Sequence, residues 1–151
     1  MTREELQIRL PELLNGIAFA EGGQWLNADV TPADWKSFAS LLRNTSGLEF
    51  DYLFCETCID WKTHLTMVYH LESTIHRHQL VIKIKLDRTK PEIETVCDIW
   101  RTAEFHEREI FELFGVNFLN HPDLRNLILP DVWEGFPLRK DYDDPVNMIK
   151  L

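Results

Sequence analysis

The chain has 151 residues, 44% hydrophobic and 27% charged, which suits one globular domain with a single core. Its net charge of −9 argues against a nucleic-acid partner, because phosphate binding needs a basic excess. Three cysteines, Cys55, Cys58 and Cys97, form no disulfide framework and point to a reducing compartment. The amino end is too charged for a signal peptide, and no apolar run approaches the roughly 18 residues of a spanning helix. Membrane association is therefore expected only through other subunits.

The first expected element is a helix from Arg3 to Leu14. Thr2 and Glu5 make a capping box, and Pro11 is expected to end or kink the helix. Extended runs Ile17–Ala20 and Gln24–Val30 flank Gly22-Gly23, a pair suited to a hairpin turn. Thr31, Pro32 and Asp34 then mark a second helix, with Trp35, Phe38, Ala39 and Leu42 on its inner face. Three strands follow, Phe50–Trp61, Leu65–Leu71 and Gln79–Leu86. In the last, Leu80, Ile82, Ile84 and Leu86 point one way and Gln79, Lys83 and Lys85 the other, so one sheet face is covered. Pro91 is read as opening a helical stretch with Ile93, Val96 and Cys97 inward. A final helix from Thr102 to Phe114 stops at Gly115, a good left-handed terminator.

The order α-β-β-α-β-β-β-α gives an α/β (α+β) domain of two layers over residues 1–115. Its sheet is expected to be mixed or antiparallel, because the loops between strands are too short for doubly wound crossovers. Residues 116–151 differ. They hold Pro122, Pro130, Pro137 and Pro145 and show no sustained period, yet Phe118, Leu124, Leu127, Ile128, Leu129, Trp133 and Phe136 make them too apolar for simple disorder. The expectation is an extended interaction arm that finds its hydrophobic partner on another protein.

Glu104, Glu107, Arg108, Glu109 and Glu112 form the densest charged cluster. At about 100° per residue, Glu107 falls within the apolar stripe of Ala103, Ile110, Phe111 and Phe114. Arg108 stands four residues from both Glu104 and Glu112 and is placed to bridge them, while Glu109 projects to the far side. A carboxylate on such a stripe must be paired or hydrogen-bonded. No nucleophile, metal motif or phosphate loop accompanies the cluster, which argues against catalysis. Cys55 and Cys58 have CxxC spacing, but on a strand they point to opposite faces and cannot share a metal. His70, Glu72, His76 and His78 gather at a hairpin. If Glu72 lies opposite His76, His70 faces His78 and a freestanding metal enzyme becomes an alternative.

The run Glu107-Arg108-Glu109-Ile-Phe-Glu112-Leu-Phe-Gly115, then His121-Pro-Asp123-Leu-Arg125 and Leu127-Ile-Leu-Pro130, resembles the thirty-kilodalton subunit family of complex I. Its members are the C-type subunit of bacterial NADH:quinone oxidoreductases and the J-type subunit of plastid-type enzymes. Asp131-Val-Trp133-Glu-Gly-Phe-Pro-Leu-Arg139-Lys140-Asp141-Tyr142 resembles that family's carboxyl segment, and Leu53–Thr57 with Ile59-Asp60-Trp61 its strand. Glu104-Phe105-His106 departs from the family's usual stretch. The resemblance implies a peripheral subunit without prosthetic groups at the cytoplasmic face of the bacterial inner membrane. It would hold together the quinone-site large subunit (D type) and the terminal iron–sulfur subunit (B type), among other hydrophilic subunits. FMN, iron–sulfur clusters and quinone would belong to those partners. Glu104, Glu107, Arg108, Glu109, Glu112, His121, Asp123, Arg125, Trp133, Arg139, Lys140 and Asp141 are the implied interface residues. Related membrane-bound hydrogenases and formate hydrogenlyases carry an equivalent small subunit, which is the second reading.

Overall fold

The computed structural model describes residues 1–149. Helix α1 (Arg3–Leu13) starts with the expected capping box, in which the Thr2 hydroxyl takes the Glu5 N–H and the Glu5 carboxylate takes that of Thr2. It runs through Pro11 rather than ending there. The proline sits in the last turn, where the lost backbone bond has little helix left to disrupt. Strands β1 (Ala18–Ala20) and β2 (Leu26–Val30) form the antiparallel hairpin, with Gly22 and Gly23 both at positive φ. Helix α2 (Pro32–Asn44) follows its Thr31 cap and buries Trp35, Phe38, Ala39 and Leu42.

Strands β3 (Tyr52–Asp60), β4 (His64–Glu72) and β5 (Gln79–Asp87) complete a five-stranded sheet of order β1-β2-β5-β4-β3. All its neighbours are antiparallel except β2 and β5, which run parallel, so the sheet is mixed. The parallel pair does not contradict the short loops. Helix α2 and the β3–β4 hairpin intervene between β2 and β5 and supply the length a parallel return needs. Leu80, Ile82, Ile84 and Leu86 are buried as the alternation requires.

The helical reading after Pro91 fails. Glu92–Glu94 is a short strand, β6, whose Glu-Ile-Glu pattern follows period two and buries Ile93 alone. Helix α3 (Ala103–Phe114) ends at Gly115 in the left-handed conformation, and strand β7 (Asn117–Leu119) then pairs parallel to β6, Ile93 opposite Phe118. The expected order therefore gains two short strands. The first residues beyond Gly115 also belong to the body rather than to the arm, since Val116 and Phe118 are buried with the core. No helix among the described residues is long and apolar enough to cross a membrane.

Replacing the Phe118 ring removes a buried side chain that the surrounding body encloses. Phe118→Ala should cost about 3–5 kcal/mol of stability, read from the urea midpoint at unchanged slope. A loss below about 1 kcal/mol, the scale of ordinary surface substitutions, would place residues 116–119 outside the core.

Candidate functional site

Helix α3 lies against β3 and carries the charged cluster on a face where three of its members are buried. Glu107 is enclosed: its carboxylate accepts the Thr95 hydroxyl and the Val96 N–H at 2.8 Å, which ties α3 to the loop after β6. Burial lifts its pKa to about 7, against the opposing pull of the Thr95 and Val96 bonds and of Lys36. Burial, with Glu107 beside it, also pushes Glu56 on β3 well above the usual carboxyl range.

Further along the helix, Arg108 and Glu112 do something the sequence does not announce. Arg108 bridges neither Glu104 nor Glu112. Its Nε and Nη2 donate to the backbone carbonyls of Arg125 and Asn126 at 3.1 and 3.0 Å, with Asp123 at 3.9 Å from Nη1. The Glu112 carboxylate accepts the backbone N–H groups of Leu127, Ile128 and Leu129 at 2.9–3.1 Å. A bent segment offers carbonyls and then amides, and α3 meets them with a cation and then an anion. The expected i,i+4 ion pairs lose because both side chains find charge-assisted bonds to backbone that would otherwise be unpaired.

The remaining sequence-predicted residues fasten the same arm. His121 accepts the Asp123 N–H at Nδ1, so its proton sits on Nε2, which donates to the Glu104 carbonyl at 3.0 Å. Asp123 pairs with Arg125 at 2.9 Å. Arg139 Nε donates to the Phe114 carbonyl at 2.7 Å and the Leu138 N–H to the Leu113 carbonyl at 3.1 Å, so the arm caps the open carbonyl end of α3. The Lys140 N–H reaches Asp60, which also takes a bidentate contact from Arg88, and Arg88 holds Asp141 at 3.0 Å. The Arg88 guanidinium holds the Asp60 carboxyl well below the usual carboxylate range. Glu109 is exposed but lines the crevice between α3 and β3 rather than projecting to the far side, and Trp133 lies partly exposed in a hollow of about 700 Å³ where the arm curls after Pro130.

Asp60, Arg88 and Thr95 escaped the sequence reading. Each is a polar residue at a strand end or loop, and only the fold gives it a partner. Alongside the charged residues it exposes, the arm also turns apolar side chains outward: Ile128 is 72%, Val132 88% and Leu138 53% exposed, with Leu127 and Phe136 also in solvent.

The metal readings do not survive. Register places Val81 opposite His70 and Gln79 opposite Glu72, while His78 bonds the Leu48 carbonyl and the chain's amino group instead. Cys55 and Cys58, opposite His70 and Met67, fall on opposite sheet faces, and burial pushes the Cys58 thiol up to about 12. Cys97, Glu107 and His121 do bring three ligand-type atoms within 4.8 Å. Both His121 nitrogens are already committed, however, Nδ1 as acceptor and Nε2 as donor, leaving no lone pair for a cation.

The family described as respiratory-chain NADH dehydrogenase, 30 Kd subunit, matches residues 28–146. The chain belongs to that family. The C-type subunit of the NADH-quinone oxidoreductase of Roseiflexus sp. (strain RS-1) is 34% identical over 141 residues, spanning 91% of this chain and 80% of the relative. The C-type subunit of Chloroherpeton thalassium is 39% identical over 72% of the chain, and the joint C/D-type subunit of Phocaeicola vulgatus 43% identical over 80% of it. The chain spans only 46% and 23% of the lengths of those two. Among solved structures, the trypsin-resistant fragment (1-134) of Nqo5 overlays with a TM-score of 0.69 at 24% identity, covering 82% of this chain and all of the fragment. A chain of the membrane-bound sulfane sulfur reductase, an archaeal respiratory membrane complex, overlays at 0.79 and 25% identity, over 93% of this chain and 85% of its own.

Glu112→Ala should release the segment at 127–129. Amide hydrogen exchange there should rise on the order of a hundredfold, as expected when backbone bonds worth a few kcal/mol are lost, while β4 and β5 amides stay unchanged. Unaltered exchange at 127–129 would mean the carboxylate does not hold the arm. A second outcome concerns pH. Glu107 has a folded pKa of about 7 against an ordinary 4.5. Its folded state therefore holds the proton more tightly, so its stabilising share is full below about 4.5 and is lost as pH rises through about 7. Between those values the wild type should lose up to about 1.4 kcal/mol per pH unit more than Glu107→Gln. Parallel pH–stability curves would contradict it.

Proposed function

We propose that this chain is a peripheral scaffold subunit of a respiratory NADH:quinone oxidoreductase, docking through its arm and without chemistry of its own. The observation that carries the reading is the orientation of the arm. Its backbone is spent inward on Arg108, Glu112 and the end of α3, while Ile128, Val132 and Leu138 face solvent. Apolar side chains displayed in series along a fastened segment form a partner surface, not a core. The D-type large subunit is the favoured occupant, because in relatives whose name joins C and D the two are one polypeptide. The B-type iron–sulfur subunit is the second neighbour, and FMN, iron–sulfur clusters and quinone belong to partners. Assembly would hold the chain at the cytoplasmic face of the membrane. Glu104, Glu107, Arg108, Glu112, His121, Asp123 and Arg125 act in this reading by shaping the arm. Trp133, Glu109, Arg139, Lys140 and Asp141 stand closer to the partner.

The overlay with the sulfane sulfur reductase chain supports a second reading, in which the same scaffold serves a related membrane redox complex of other chemistry. The arm's role is unchanged there, and the redox centres of the co-purifying large subunit separate the two.

Ile128→Asp with Val132→Asp puts two charges where the proposed interface is apolar, at several kcal/mol of desolvation cost if both are buried. Co-expressed with D-type and B-type subunits, this variant should lose co-purification while its own circular dichroism and urea midpoint stay at wild-type values. Full recovery of the complex would remove the arm as the docking surface.

A further inference from the structure

Three polar side chains meet in the core between the sheet and its helices. Glu56 and Tyr69 are direct cross-strand partners on β3 and β4, and the Trp35 ring from α2 lies 4.5 Å from that of Tyr69, centroid to centroid. Trp35 and Tyr69 are wholly buried and Glu56 is 4% exposed. Trp35 Nε1, the Tyr69 hydroxyl and both Glu56 oxygens make no hydrogen bond of good geometry among the described residues, although Trp35 stands close to the Tyr69 hydroxyl and that hydroxyl close to Glu56. Such a poorly satisfied polar group in a core is uncommon, since a buried polar atom left unpaired costs about 1–3 kcal/mol. No cation among the described residues stands near enough to pair with the Glu56 carboxyl, and burial beside Glu107 favours its neutral form. A neutral acid, a phenol and an indole N–H together offer both donors and acceptors, which is the complement a water molecule requires.

From Glu56 runs a crevice of about 80 Å³, lined by Glu56 and Thr57 on β3, Glu109, Ile110 and Phe114 among others on α3, and Leu138 of the arm. A water needs only about 10–15 Å³ of such space. We propose that Trp35, Glu56 and Tyr69 form an internal water-binding site that communicates with solvent through the crevice beneath Leu138. Water held there satisfies the indole and phenol and links the Glu56 acid to the surface. The core thus carries an exchangeable proton whose route passes under the arm. Closure of the arm, with Leu138 over the crevice, slows that exchange, and its release speeds it. The inference stands on the core's own geometry and needs no particular partner for the arm.

The test uses the full chain labelled with ¹⁵N in its indoles. Trp100 is an internal control, being likewise buried but with its Nε1–H donated to the Phe50 carbonyl at 2.8 Å. Water-selective cross-relaxation should give a signal at the Trp35 indole hydrogen, assigned through its contact with the Tyr69 ring, and none at Trp100. Silence at both positions would overturn the water site. In Leu138→Ala, deuterium exchange of the Trp35 indole should quicken about tenfold while that of Trp100 holds, the pattern of a local route rather than global opening. Equal rates in the two proteins, or a matching rise at Trp100, would overturn the crevice as the path.

Discussion

The bond between the Glu112 carboxylate and three successive backbone amides decides how this molecule presents itself. A proline-punctuated segment has no ladder of its own, so its N–H and C=O groups must find partners or remain in water. Helix α3 supplies them from side chains one turn apart, Arg108 for carbonyls and Glu112 for amides. Because the backbone faces the helix, the side chains of Leu127, Ile128 and Val132 are left to solvent. The surface is set by where the main chain is satisfied, and hydrophobicity only follows. A self-covering tail would have done the reverse, burying its leucines and leaving its backbone wet.

Charge inside the body serves the same end. Glu107 joins α3 to the loop after β6, and Asp60 joins the end of β3 to Arg88 and Lys140. Both are carboxyls at junctions between elements, but their surroundings push their pKa values apart. Asp60 gains a bidentate guanidinium and two backbone amides, which stabilise the anion, whereas Glu107 gains bonds too weak to offset its enclosure. The Asp60 link to Lys140 therefore stays ionised through ordinary pH, whereas the Glu107 link between α3 and the loop after β6 titrates near neutrality.

Much of the framework was legible because local rules and burial agree there. The capping box at Thr2, the Thr31-Pro32 helix start, the alternation from Leu80 to Leu86 and the stop at Gly115 each rest on a short-range cause. Glu107 as a buried acid was legible too, since its angular position on α3 left it no route to solvent. What escaped was non-local. Whether Arg108 chooses Glu104, Glu112 or the carbonyls at 125–126 depends on a segment seventeen residues on, and helical spacing knows nothing of it. The His70–His78 pairing failed for a related reason. A hairpin's register cannot be fixed from residue types when its loop length is unknown, and a shift of a few positions exchanged His78 for Val81.

The same non-locality bears on the three buried polar groups at Trp35, Glu56 and Tyr69. In a core made for stability alone, a leucine at 56 would avoid the desolvation of a carboxyl and leave no unpaired oxygen. Glu56 sits on the edge strand, one residue from Thr57, beside the helix that holds the arm and next to the crevice that Leu138 covers. An acid there is costly to the body and useful only to something that passes over it. That coincidence of position separates it from a packing defect: a carboxyl with no well-formed hydrogen bond among the described residues lies under the element that also exposes apolar side chains.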